Sequence, residues 1–156
     1  IKNGKGGRKR IAEICGSPEE IQFVVNKMRS AGNNKVFNKI PDKDIHAMRA
    51  VYAKKVYEKY KRSRSEYKDE RLILYRNKIV KTYISKNVDI ENNLEYYDYI
   101  PDKGYVLKPG FKDVKTAYYC REDKKHICYD RLALLKCSQN LGHNRASIVA
   151  EHYLYR

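Results

Sequence analysis

The sequence predicts a mainly α-helical domain with small antiparallel β-hairpins, and three observations predict it. Two amphipathic runs in the first half carry helix-start signals, at Ser17-Pro18 and at Asp44. A third run begins at Asp130 and stops at Gly142, an acidic cap at one end and a glycine at the other. Two stretches read as hairpins, one around Gly4-Lys5-Gly6-Gly7 and one flanking residues 121–125. With 156 residues the chain is long enough for one domain with a real core and too short for two ordinary ones.

Taken in order, Gly4 to Gly7 precedes an alternating stretch, Arg8 to Ile14, that reads as a strand, placing Lys5 at a hairpin tip. Ser17 is the expected cap of a helix of about ten residues that ends before Gly32, with Pro18 at its first position and Glu20 completing a capping box. Asp44 should cap a long helix running to about Arg62, with Ile45, Met48, Tyr52 and Val56 on one face. A further helical stretch is expected over 66–84. Residues 89–102 hold five acids and no base, a composition shift that reads as an inserted loop. Val114 to Cys120 and His126 to Tyr129 form the second hairpin, Asp130 to Gly142 a helix, and Asn144 to Tyr155 a last helical segment.

The formal net charge is +15, and it is unevenly spread. Residues 1–81 hold 22 Lys and Arg against nine acids, whereas the remainder holds 12 against ten. A basic excess concentrated in one half points to a polyanionic partner. No apolar stretch has the length of a membrane span and no cleavable leader is visible, so an intracellular protein without a membrane partner is expected. The chain opens at Ile1, within what reads as a strand and turn, which suggests a piece of something longer. Cys15, Cys120, Cys128 and Cys137 lack the close pairing of a zinc ribbon and read as free, packed thiols. His126 with Cys120 and Cys128 matches no standard zinc spacing.

Three short motifs bear on chemistry. His46 and Arg49 stand at i, i+3 on the long helix, where imidazole and guanidinium share a face and can grip one phosphate. Leu141-Gly142-His143 ends one helix and opens the next, and backbone N–H groups there favour an anion. Tyr153, with Tyr155 two residues on, lies at the end of the final segment. Each motif has an ordinary structural alternative: surface polar residues, a glycine cap, a packed aromatic. Their combination and order are more specific.

In that order they resemble the tyrosine recombinases, the family of phage-type integrases and chromosome-dimer resolvases, over about Lys2 to Leu154. The stretch from Leu141 to Leu154 is most similar to integrases of mobile elements. The resemblance implies the catalytic-core fold of that family and breakage and rejoining of double-stranded DNA through a 3′-phosphotyrosyl intermediate. It implies partner protomers in a synaptic complex, a cytoplasmic, nucleoid-associated setting, and no metal or cofactor. It assigns Lys5 to the catalytic lysine of a Gly-Lys-Gly hairpin, His46 and Arg49 to the HxxR box, His143 to the LGH histidine and Tyr153 to the nucleophile. Arg49 and His143 would stabilise nonbridging oxygens, Lys5 would protonate the leaving 5′-oxygen, and His46 would support phosphate binding or proton transfer.

The chain departs from the family pattern at three places. The tyrosine lies ten residues after the LGH histidine where the family has nine, which one inserted residue would explain, with Tyr155 as the alternative nucleophile. Arg49 and His143 are 94 residues apart, so an insertion is expected within about 63–129. The family's first arginine precedes the lysine hairpin, and a strand after the hairpin should carry Arg8 and Arg10 away from its tip. These 156 residues are therefore expected to bind DNA and to cleave it poorly or not at all, and a non-cleaving DNA-binding module derived from the same core is the alternative. Finally, ten residues of straight helix would set His143 and Tyr153 about 15 Å apart, so a break between them is expected.

Overall fold

The computed structural model describes residues 10–39, 42, 44–83, 89–121 and 125–155. It consists of helices plus small antiparallel sheets. Helix α1, Pro18–Ala31, starts on Ser17 with the expected capping box: Glu20 N–H donates to the Ser17 side chain and Glu20 returns a carboxylate to the Ser17 N–H. None of its residues is buried. Helix α2, Ile45–Tyr60, is capped by Asp44, whose carboxylate accepts the His46 N–H at 2.8 Å. Its buried side chains are Ala53, Val56 and Tyr57. The expected apolar face is thus corrected in its first half: Ile45 and Met48 are exposed, because the core lies against the second half of the helix.

The expected helix over 66–84 is also corrected. After a single turn, α3 (Arg64–Tyr67), the chain forms strands β1 (Arg71–Tyr75) and β2 (Lys78–Tyr83). Strand β1 is the centre of a three-stranded antiparallel sheet whose other edge is β5, Phe111–Lys115, with Arg71 opposite Lys115. That partner is some forty residues on, beyond the reach of local periodicity. Between them lie a 3₁₀ turn (Glu91–Tyr96) and the hairpin β3 (Tyr97–Ile100) with β4 (Gly104–Leu107). Strands β6 (Ala117–Tyr119) and β7 (Cys128–Asp130) form the hairpin expected near 114–129, although Val114 and Lys115 belong to β5.

Helix α4, Arg131–Leu141, is capped by Asp130 and packs against α2. The core gathers Ala53, Val56 and Tyr57 of α2, Leu72 and Leu74 of β1, Leu134, Leu135, Cys137 and Leu141 of α4, and Val149 and Ala150 beyond it. An ion cluster locks this arrangement. Arg62, just after α2, donates Nε and Nη2 to the two oxygens of fully buried Asp130, at 2.8 and 3.0 Å, and Nη1 to Glu70 at 2.5 Å. Removing one partner would leave an uncompensated buried charge, which is strongly destabilising. None of the four cysteines forms a disulfide; two are buried and two half-buried, and burial pushes the Cys137 thiol up to about 12. Among the described residues, no helix is long and apolar enough to cross a membrane.

Candidate functional site

Helix α4 ends as a Schellman motif. Gly142 adopts φ 81°, a left-handed conformation that glycine takes without a Cβ penalty. The Gly142 N–H donates to Gln139 O at 3.0 Å and the His143 N–H to Ser138 O at 2.8 Å. The Arg145 N–H donates to Ser138 Oγ at 3.0 Å. These amides are thereby spoken for, which corrects the expectation of a backbone anion site at Leu141-Gly142-His143. The turn instead sets the direction of the His143 side chain.

Arg49, one turn before the buried half of α2, points toward that side chain. Its Nη2 donates to Leu141 O at 3.0 Å and lies 3.3 Å from His143 Nε2, while its Nε lies 3.3 Å from Tyr153 Oη. Tyr153 Oη is 3.5 Å from the same His143 nitrogen. Arginine has no acceptor, so the Arg49 contact requires a bare Nε2 and places the neutral ring's proton on Nδ1. Three residues from three parts of the chain, 94 and ten positions apart, thus meet at their polar tips, each half-buried. The Arg49 guanidinium also faces the Tyr153 ring, with Cζ 5.8 Å from the ring centre.

The expected break lies between His143 and Tyr153: after Gly142 the chain is non-helical through Arg145, which is extended at φ −135° and ψ 124°. Helix α5, Ala146–Val149, begins only after the Asn144-Arg145 turn and runs directly into a π-helical turn, Ala150–Leu154, in which the Tyr155 N–H reaches back five residues to Ala150 O at 2.9 Å. The late start shortens the helical run and the wide turn takes up one residue more than an α turn would. Together with the break, they let the side chains converge. Tyr155 stands where the π turn ends and is 41% exposed.

His46 is placed differently. It is exposed and, with Asp44, Ala47, Ala50, Ile148 and His152, lines a cleft of about 540 Å³ whose wall includes Tyr153. The i, i+3 pair therefore flanks the tyrosine from two sides: Arg49 at its hydroxyl, His46 across the open cleft. Lys5, the remaining expected site residue, lies outside the described residues.

Several residues that sequence reasoning missed support the site. Buried Asn140 accepts the Glu13 N–H at 2.7 Å and the Tyr52 hydroxyl at 3.2 Å, and Tyr52 also donates to Glu13 O at 2.8 Å. These bonds fasten residues 10–15, which form no strand among the described residues, across α2 and α4. Burial raises Tyr52 to about 12, so its hydroxyl stays a donor. The hairpin tip from which Arg10 is expected to be carried away lies outside the described residues. Arg10 lines one cleft with Gly142, His143 and Asn144 and another with Arg49 and Leu141. The i+3 spacing of Tyr52 from Arg49 and the place of Asn140 just before Leu141 were signals that could have been read. The Arg10 contact spans 132 positions and left none.

Among the described residues, no group of three or more His, Cys, Asp or Glu is arranged to hold a metal. No family model, no curated protein and no solved structure matches the chain.

Proposed function

We propose that this chain is the strand-cutting and rejoining core of a site-specific DNA recombinase, with Tyr153 as the nucleophile. The observation that carries the reading is the meeting of Tyr153 Oη with Arg49 and His143 within 3.3 to 3.5 Å. A neutral phenol attacks a phosphodiester slowly, so the reaction needs positive charge where the nonbridging oxygens gain negative charge, and a route for the phenolic proton. Arg49 supplies the first. His143 Nε2, bare in the neutral ring, is placed either to take the proton or to hold an oxygen once protonated.

In the reaction the Tyr153 oxygen bonds to phosphorus and the bond from phosphorus to the 5′-oxygen breaks. A 3′-phosphotyrosine and a free 5′-hydroxyl result, and a 5′-hydroxyl from another strand reverses the step. Lys5 protonates the departing 5′-oxygen in this scheme, and His46, on the cleft beside Tyr153, borders the path of the strand. Exchange between two duplexes requires further protomers, which the proposal includes. The exposed Lys54 and Lys55 on α2, with Arg64 just beyond it, suit a phosphate backbone as partner.

The π turn supports Tyr153 over Tyr155. In the family that the sequence resembles the tyrosine comes nine residues after the histidine, here ten, and a π turn is the usual way for a helix to absorb one added residue. Among the described residues, segment 63–129, the proposed insertion, holds α3, the 3₁₀ turn and strands β1 to β7, the last of which runs on to Asp130.

The experiment is to offer the full-length protein a nicked duplex that traps a covalent intermediate. Tyr153→Phe should keep DNA affinity and give no adduct, since the ring stays and only the nucleophilic oxygen leaves, whereas Tyr155→Phe should retain most of the yield. DNA binding without any adduct from the unsubstituted protein would turn the reading into a non-cleaving DNA-binding module.

A further inference from the structure

We propose that Tyr118 and Glu151 form a brace through which the inserted segment helps to aim Tyr153, an inference that rests on the strand-transfer reading above. The element that carries the tyrosine is weak by itself. Helix α5 has only four residues and the π turn after it five, too short a run to be stable on its own hydrogen bonds. What fixes the direction of Tyr153 is therefore what touches the turn from outside.

One such contact lies on the face away from the site. Glu151 stands two positions before Tyr153 in the π turn, and side chains two apart on a helical turn leave it from opposite faces. Tyr153 meets Arg49 and His143. Glu151 instead accepts the Tyr118 hydroxyl at 3.3 Å. Burial, first, and the Glu151 carboxylate push the Tyr118 hydroxyl up to about 12, so it keeps its proton and remains the donor.

Tyr118 is itself a fixed point. It is the middle residue of strand β6 and pairs with Tyr129 of β7. The Arg131 guanidinium lies over its ring, with Cζ 4.8 Å from the ring centre. Arg131 opens α4 and is held in turn, its Nε donating to Lys115 O at 2.7 Å and its N–H to Thr116 O at 2.8 Å. A continuous set of contacts thus runs from the sheet edge β5, through Arg131 and Tyr118, to the turn that bears the tyrosine. The turn is held between α2 on one side and the insertion on the other. Loss of the second hold matters to chemistry because a misplacement of about 1 Å can cost 10²-fold in rate.

The test uses the full-length protein in excess over a nicked trapping duplex. The rate constant of adduct formation then reports positioning, its amplitude the folded fraction, and a separate titration the DNA affinity. Tyr118→Phe, which loses only the hydroxyl, should lower the rate constant about 10- to 10²-fold with amplitude and affinity kept. Glu151→Ala should do the same, and Glu151→Gln, which still offers an oxygen to Tyr118, should recover most of that loss. The double variant Tyr118→Phe/Glu151→Ala should be no slower than the slower single variant, since both changes remove one contact. A Tyr118→Phe rate constant within about threefold of the unsubstituted protein would overturn the proposal, as would losses that multiply in the double variant or a loss confined to amplitude or affinity. If the unsubstituted protein yields no Tyr153-dependent adduct, the strand-transfer reading falls first and this inference with it.

Discussion

Residues 10–16 and helix α1 are consecutive in the chain and opposite in character. The first stretch has no regular structure, yet it is tied down by Asn140, Tyr52, Tyr60, Lys59 and Lys136 through Glu13 alone. The second is a well-formed helix with a complete capping box, and none of its 14 residues is buried. Regular hydrogen bonding and integration into the fold are therefore separate properties. Local sequence decides the first, since Ser17, Pro18 and Glu20 suffice to start a helix. The second depends on what distant residues offer, and the core offers its surface to the coil.

That contrast can be broken at its strongest point by Asn140→Ala. The change strips the acceptor from the Glu13 N–H and from one Tyr52 contact at a buried position, and unsatisfied buried donors cost about 1–3 kcal/mol. A denaturant titration should show that loss. If the midpoint stays put, residues 10–15 are not held as described.

A smaller effect should come from Glu13→Gln, and it should depend on pH. The Lys59 ammonium, first, and the Tyr60 hydroxyl hold the Glu13 carboxyl below its ordinary value of 4.5. A carboxylate with a lowered folded pKa contributes stability that is complete above the ordinary value and lost as pH falls through the folded one. The melting temperature of Glu13→Gln should therefore lie below that of the unsubstituted protein at pH 7, by under about 1 kcal/mol of stability for so accessible a pair. The gap should close as the pH drops below 4.5. A gap that widened in acid would reverse the sign of the argument. Smallest of all, Phe23→Ala on α1, where the ring is 61% exposed, should shift stability by no more than about 0.5 kcal/mol.

The parts of the fold that were legible in the sequence are those that local chemistry dictates. Ser17, Asp44 and Asp130 each cap the helix expected of them, and Gly142 ends α4 in a left-handed turn. What could not be read depends on partners far along the chain. Arg71 to Tyr75 looks helical in isolation and becomes a strand because Phe111 to Lys115 pairs with it. Residues 10–14 alternate like a strand, and their neighbours are helices α2 and α4, with side chains rather than a sheet edge to offer. The site divides in the same way. Arg49, His143 and Tyr153 could be picked out by type, order and spacing, whereas Arg10, Asn140 and the tautomer of His143 emerge only from packing.

The π turn at Ala150–Leu154 has a consequence for angular phase. Each residue of an α-helix swings the next side chain about 100° around the axis, so one surplus residue would leave Tyr153 facing away from Arg49. A turn closed over five residues instead of four absorbs that rotation, and the side chain beyond it regains its bearing. Place in the sequence and direction in space are thereby uncoupled over a single turn. A helix built this way can lengthen by one residue upstream of a reactive group and still aim that group at the same target, because the widened turn works as a phase corrector rather than a defect.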